Sequence, residues 1–227
     1  MEKHSLHGVI RADIPRPPAA LVARLAQHDT AKIADSMAGY GVAHHAIKPL
    51  RSEMRLCGPA VTVLTRPGDA LYVQKVIEHL HAGDIVVIDA AGYQDVAVIG
   101  ERLAGYMKLK GAGGIVVDGA VRDSIGIVAE GIATFARSCC IRIFGSNGPG
   151  AINVPVTCGG VAVNPGDLVC GDADGIVIVP HGDVARIADL ADEHLAGELA
   201  RKREVEAGKP FGEVFGLQAK LDRWAKK

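Results

Sequence analysis

Two stretches of this chain combine residue types able to do chemistry. The first is Val116-Val117-Asp118-Gly119-Ala120-Val121-Arg122-Asp123, an apolar run leading into a polar turn with two acids and an arginine. Arg122 offers a planar fork for a carboxylate. A neighbouring carboxylate suits a hard cation such as magnesium, which takes oxygen ligands and keeps several waters. The same residues also have a plain structural reading, in which Asp123 caps the next helix and Arg122 pairs with it at the surface. The second stretch runs from Gly92 to Leu103 and ends Gly100-Glu101-Arg102-Leu103. Gly100 there can open a helix whose free amides receive an anion, although an ordinary strand-to-helix loop would look the same. If the preceding strands are parallel neighbours, both stretches lie at their C-terminal edge, the usual ligand crevice of open α/β sheets.

Other candidates carry less. Gly111 to Gly114 does not match the dinucleotide fingerprint, because Val116 stands at the third glycine position, and no phosphate-binding loop occurs. His79 and His81 are two apart on a helix-like stretch and diverge. His44-His45 has no third ligand nearby, and Cys139-Cys140 has no evident base. Lys108 and Lys110 suit the negative end of a helix, so neither is taken as a Schiff-base lysine. Asp172 and Asp174 read as turn residues, and Gly145 to Gly150 as a flexible loop.

The elements that must position these residues follow from spacing. After an extended segment at Pro15, Pro17 and Pro18, a short helix is expected over Ala19 to Gln27. A second helix, capped by Asp29 or Thr30, runs to Met37. Ala60 to Thr65 reads as a strand, and Asp69 as the cap of a helix from Ala70 to Leu80. A strand-then-helix rhythm follows: strand Ile85 to Asp89, helix Val98 to Lys110, strand Ile115 to Asp118, helix Asp123 to Glu130, strand Ala133 to Ala136. Short strands over 154–158, 161–163, 168–170 and 176–179 suggest a β-meander packed on the first layer. A charged amphipathic helix from Val184 to about Ala207 and a last helix from Gly212 to Trp224 close the chain. Continuous apolar strands joined by helices indicate a buried α/β sheet.

The chain has 227 residues, 48% of them hydrophobic, enough for one domain spanning 1–227 with a sizeable core. A net charge of −1 argues against nucleic acid or an anionic membrane as the main partner. The five cysteines include no C-x-x-C, which disfavours a zinc ribbon or a disulfide framework. No apolar signal-like core occurs in the first 18 residues, so a cytoplasmic protein is expected. The 28 glycines are about twice the ordinary share. Gly39, Gly41, Gly159, Gly160, Gly166 and Gly175 are expected at turns, and Gly100 and Gly119 where a small anion meets backbone amides.

Several linked motifs then carry a resemblance. Cys57-Gly-Pro-Ala-Val-Thr62, Gly100-Glu-Arg-Leu103, Gly113 through Asp123, Pro165-Gly-Asp167 and Asp172 through Pro180 occur in this order. The chain resembles the family that unites the regulator of ribonuclease activity A with 4-hydroxy-4-methyl-2-oxoglutarate aldolases. Its length and charged tail are similar to the aldolase branch. The resemblance implies an α/β/β/α sandwich of the swivelling-domain type, with helical N- and C-terminal extensions. It implies a homotrimer or a dimer of trimers with sites at subunit interfaces, and tail helices over about 184–227 reaching a neighbouring subunit.

By the same resemblance, Asp123 is the one direct protein ligand of Mg2+ or Mn2+. Arg122 holds the keto-acid end of a small 2-oxo acid substrate. The loop Gly100, Glu101, Arg102, Leu103 supplies amides to its carboxylate, and Glu101 reaches a water of the metal shell, although relatives often carry Asp there. Glu198 is the expected acid from the neighbouring tail, with Glu193 and Glu204 on the same stretch. The implied activity is metal-dependent cleavage of 4-hydroxy-4-methyl-2-oxoglutarate and 4-carboxy-4-hydroxy-2-oxoadipate to pyruvate and pyruvate or oxaloacetate, in aromatic catabolism, with oxaloacetate decarboxylation alongside. The competing expectation is a non-catalytic regulator that binds a ribonuclease or helicase on the same fold. A methyltransferase, an old label of such relatives, finds no nucleotide fingerprint here.

Overall fold

A computed structural model describes residues 8–225. In chain order the helices and strands are α1 (Ala19–Leu25), α2 (Thr30–Ser36), β1 (Lys48–Pro49), β2 (Leu56–Thr65), α3 (Leu71–Lys75), β3 (Ile85–Asp89), β4 (Ala97–Ile99), α4 (Glu101–Leu109), β5 (Gly114–Val121), α5 (Ser124–Glu130) and β6 (Thr134–Cys139). They continue as β7 (Gly150–Ile152), β8 (Val156–Cys158), β9 (Val161–Val163), β10 (Leu168–Asp172), β11 (Gly175–Val179), α6 (Val184–Glu206), α7 (Phe211–Val214) and α8 (Leu217–Ala225).

One sheet organises the molecule, in the order β1-β6-β5-β3-β2-β10-β11. Strands β2, β3, β5 and β6 are mutually parallel, while β10 and β11 extend the sheet antiparallel beside β2. The sheet curls until its ends meet, and Lys48 Nζ beside β1 donates to Asp174 O next to β11 at 2.6 Å.

Side chains alternate across this curl. Val86, Ile88, Ile115 and Val117 point outward under α3, α4 and α5, against Val73, Met107 and Ile127. Ile85, Val87, Val116 and Phe135 point inward and meet Val169, Ile176 and Ile178 of β10 and β11. The other face of β10 and β11, with Leu168, Val177 and Val179, is covered by α1, α2 and α6 through Leu25, Ile33 and Ile187. Helix, sheet, sheet and helix therefore stack in four layers, as the α/β/β/α expectation required.

Four local expectations are corrected. The helix expected from Val98 begins only at Glu101. Val98 and Ile99 are fully buried and pair with β5 as β4, and Gly100 is extended at φ −139° and ψ −176°. The turn expected after Asp118 is instead strand through Val121, because Gly119, Ala120 and Val121 are buried and continue the ladder against β4. Gly119 packs against Ala90 and the Tyr93 carbonyl, away from any anion site. The expected meander is divided: β7 joins β2, β8 and β9 form their own hairpin, and β10 with β11 extends the main sheet. The last helix is broken between α7 and α8 at Gly216, whose φ of +58° ends a right-handed turn.

Two buried carboxylates tie distant segments together. Asp118 sits where β5 changes partner from β3 to β4. It accepts from Arg137 Nε and, at 2.6 Å, from Gly159 N, while its own carbonyl accepts from Gly92 N at 3.0 Å. The paired carboxylate raises the pKa of Arg137. Asp172 on β10 takes over the capping expected of Asp29 or Thr30. It accepts from Thr30 N at 2.8 Å and Thr30 Oγ1 at 2.7 Å, while Asp29 is drawn away to Arg55.

Burial pushes the Asp172 carboxyl up, but the Thr30 and Asp174 donors outweigh it and hold it below the ordinary carboxylate range. A depressed carboxylate contributes stability above its unfolded pKa of about 3.9 and loses it as pH falls through the lower folded value. The resistance of the wild type to urea should therefore fall below about pH 4. Asp172→Asn should lose about 1–3 kcal/mol at pH 7 and show a shallower decline in acid. Parallel pH profiles for the two proteins would contradict this role.

Candidate functional site

Strand β4 delivers the chain to Gly100, and β5 delivers it to Arg122 one strand away. Arg122 N donates to Ile99 O at 2.9 Å, so the two strand ends are stitched side by side. The contact is close enough that a side chain at position 100 would displace the Asp123 carboxylate and the Arg122 stem. A Cβ there would stand 2.7 Å from Asp123 Oδ2 and 3.0 Å from Arg122 Cγ.

Beyond Gly100, α4 starts at once. Ala104 N donates to Gly100 O and closes the first turn, which leaves the amides of Glu101, Arg102 and Leu103 without helical partners. These amides carry the positive end of the α4 dipole.

Asp123 is the N-cap residue of α5, but its side chain makes no capping hydrogen bond. The residue is left-handed, at φ 54° and ψ 41°, a conformation that Asp and Asn adopt more readily than other side chains. The carboxylate turns back toward Gly100 and meets Arg122 Nε at 3.2 and 3.3 Å. The surface ion pair foreseen as the plain reading is thus present, though long, and the capping role is not. Among the described residues, the two terminal nitrogens of Arg122 have no hydrogen-bond partner.

Gly100, Arg102, Leu103, Arg122 and Asp123 line one open cavity of about 400 Å³. Of the expected catalytic and substrate-binding residues, all but two are thus brought together. The Glu101 carboxylate lies over Gly126 of α5 and is not part of the cavity wall. Glu198 lies on α6, in the opposite helical layer, where it pairs with Lys32 of its own chain. That ammonium holds the Glu198 carboxyl below its usual range. Of its alternatives, Glu204 accepts from Lys209 at 2.6 Å and Glu193 is exposed.

Four wall residues were not singled out by sequence: Gln74, Tyr106, Ile143 and Phe144. Tyr106 was within reach, because it stands one helical turn beyond Arg102 and Leu103 on α4. Gln74 on α3, which donates to Ser146 Oγ at 2.8 Å, carried no such signal, nor did Ile143 and Phe144 after β6.

Among the described residues, no cluster of three or more His, Cys, Asp or Glu side chains could cage a metal. A single carboxylate, free of capping duty and facing an open cavity, does fit a magnesium ion that keeps most of its waters. It does not fit a structural zinc site, which needs four protein ligands.

Fold and site define a class: a four-layer α/β/β/α protein with a guanidinium, a carboxylate and spare helix amides gathered at the C-terminal ends of parallel strands. A sequence model of the RraA-like family, described as Aldolase/RraA, matches residues 30–178. The chain belongs to the RraA-like family. It is 39% identical over 194 residues to a Halalkalibacterium halodurans protein named "Putative 4-hydroxy-4-methyl-2-oxoglutarate aldolase", covering 86% of this chain and 90% of that one. Streptomyces coelicolor RraAS2, described as an unusual member of the RNase ES inhibitor RraA protein family, superposes with a TM-score of 0.75 at 31% identity, over 83% of this chain and 100% of that chain. The RNA-processing inhibitor RraA of Thermus thermophilis gives 0.62 at 29% identity, over 67% and 93%.

The left-handed backbone at position 123 separates fold from chemistry. Asp123→Asn should keep the wild-type melting temperature, because Asn accepts the same conformation. Asp123→Ala should melt about 2–4 °C lower, from a left-handed strain of about 1 kcal/mol. Equal melting of the two variants would count against the strain.

Proposed function

We propose that this chain is a divalent-metal-dependent aldolase that cleaves 4-hydroxy-4-methyl-2-oxoglutarate and 4-carboxy-4-hydroxy-2-oxoadipate, with oxaloacetate decarboxylation as a side activity. The supporting observation is the convergence of Arg122, Asp123 and the spare α4 amides on one cavity. The similarity to a protein named as such an aldolase points the same way.

In this reading, the amides of Glu101 to Leu103 take the substrate's C1 carboxylate. Asp123 would hold Mg2+ or Mn2+, whose chemistry is Lewis-acid polarisation of the 2-oxo group. Arg122 directs its free terminal nitrogens at the C2 oxygen. The C4 hydroxyl proton leaves to water at the open mouth of the cavity, the C4 oxygen becomes the carbonyl of the released pyruvate or oxaloacetate, the C3–C4 bond breaks, and its electron pair forms the enolate of pyruvate. Negative charge grows at the C2 oxygen, where the Arg122 guanidinium is already in place. Protonation at C3 then gives pyruvate. Decarboxylation of oxaloacetate passes through the same enolate.

Arg102 adds a second guanidinium to the cavity wall and has no ion-pair partner among the described residues. A cation in the first turn of a helix opposes the helix dipole. A substrate with a second carboxylate relieves that conflict, which supports a dicarboxylic substrate.

The cavity wall includes apolar side chains left in solvent, Tyr106 at 54% and Ile143 at 68% exposure. Apolar surface of this kind marks an interface. We assign it to a homotrimer or a hexamer, in which the 184–227 tail, with Glu198, reaches the site of a neighbouring copy. Residues 226 and 227 of that tail lie outside the described residues. The same surface also suits the second reading, a regulator docked on a ribonuclease or helicase, and the inhibitors similar to this chain support it.

Pyruvate release coupled to lactate dehydrogenase separates the two readings. The aldolase reading expects turnover with magnesium and its loss in EDTA. Arg122→Ala should lose about 10²–10³ in rate, as for removal of one oxyanion donor. Arg102→Gln should weaken kcat/KM about 10–100-fold for dicarboxylic substrates, the worth of one charge-assisted hydrogen bond. Near-wild-type cleavage by Arg122→Ala, or a rate indifferent to EDTA, would exclude this mechanism.

A further inference from the structure

Cys57 on β2 and Cys170 on β10 face each other in direct register across an antiparallel pair. Both thiols are free, and their sulfurs lie 3.3 Å apart. Ala60 N donates to Asp167 O in the same ladder. Hydrogen-bonded and non-hydrogen-bonded pairs alternate along such a ladder, so three residues further the Cys57–Cys170 pair is non-hydrogen-bonded, with Cα atoms about 4.5 Å apart. A disulfide accepts Cα separations of about 4.4–6.8 Å. Rotation of the two side chains, without backbone movement, is enough to join the sulfurs.

The pair is also reachable. Both cysteines line a second cavity, of about 230 Å³, bounded by His28, Thr30, Arg55 and Leu56. It lies beneath the α1–α2 connection and is separate from the cavity of Arg122 and Asp123. Cys57 is partly exposed there, whereas Cys170 is buried. The hydrogen bond with Cys57 and burial both push the Cys170 thiol up, and Cys57 is the sulfur that a ligand in the cavity can reach. Arg55 stands at the cavity as a half-exposed cation, bonded to Asp29 Oδ1 and His28 O at 3.0 Å each.

We propose that Cys57 and Cys170 form a thiol–disulfide exchange site that accepts a small, carboxylate-bearing disulfide at Arg55. The Cys57 thiolate attacks one sulfur of the disulfide and expels a thiolate, leaving a mixed disulfide on Cys57. Cys170 gives its proton to the departing thiolate, attacks Cys57 Sγ and expels the second thiolate, which takes from water the proton that Cys57 had released. The protein dithiol is oxidised by two electrons, the small disulfide is reduced to two thiols, and no other oxidant takes part.

The test uses the full chain carrying Cys139→Ser and Cys140→Ser, so that this adjacent pair cannot contribute. The protein is incubated with glutathione disulfide, alkylated and mapped by mass spectrometry. The expected product is a linked peptide pair containing Cys57 and Cys170. Adding Cys170→Ser should arrest the reaction as a glutathione adduct on Cys57, and adding Cys57→Ser should leave Cys170 unmodified. The cross-link spans 113 positions, and it should raise the melting temperature by about 10 °C in a manner reversed by dithiothreitol. Arg55→Gln should slow the reaction with glutathione disulfide about three- to tenfold and leave the reaction with the cationic disulfide cystamine as fast or faster. No linked pair, or a stable Cys57 adduct that Cys170 does not resolve, would overturn the proposal. Equal slowing of both disulfides by Arg55→Gln would remove the carboxylate-bearing ligand from it.

Discussion

The arrangement depends on the point where β5 changes partner. A strand bordered along one edge by β3 and then by β4 must bend at the exchange, and the bend exposes backbone groups that need partners. Asp118 supplies them. Its carboxylate holds Arg137 and the Gly159 amide, and its carbonyl holds the Gly92 amide. One buried, fully partnered acid thus fixes the loop leaving β3, the end of β6 and the β8–β9 hairpin. With those in place, β4 can only lie against the last residues of β5, and Gly100 can only stand beside Arg122.

The site inherits its order from that placement. Its chemistry comes from residues that the fold leaves partly unsatisfied: a guanidinium held through Nε only, a carboxylate that does not cap its helix, and helix amides without acceptors. Each is an incomplete interaction at a position rigidly defined by its neighbours. Such pre-organisation costs some stability at the site and is offset by the four-layer packing around it. Glycine at position 100 belongs to the same design, since any side chain there would occupy the space that Asp123 and Arg122 share.

Much of this was legible in the chain. The Arg122–Asp123 pair and Gly100 as a possible helix opening followed from local patterns, because strand runs and helix starts are written in adjacent residues, whereas the four-layer order came with the family resemblance. The turn glycines from Gly39 to Gly175 all have positive φ as expected. What escaped was contributed by residues far apart in sequence. Asp172 caps a helix 142 positions earlier, and Gln74, Ile143 and Phe144 join the cavity only through packing. The extent of β4 and β5 was misjudged for a related reason. A run as short as Ala97 to Ile99 shows no period of its own, and its β-branched residues settle into a strand against β5. Glu101 has the right type for a site acid, yet its side chain follows α5.

Helix α6 has a consequence of a different kind. Its 23 residues measure about 34 Å, and every buried residue falls within the first eight, from Val184 to Ala191. The remainder is a helical rod held to α2 by polar contacts, Ser36 with His194 and Lys32 with Glu198. Such a rod transmits angle as well as distance: each residue advances about 100° around the axis. A one-residue insertion after Ala191 would turn Glu198 and everything beyond it to another side, while seven residues, close to two whole turns, would nearly restore the original bearing. Contacts such as Lys32 with Glu198 therefore tolerate whole-turn changes in the length of this helix better than single-residue ones.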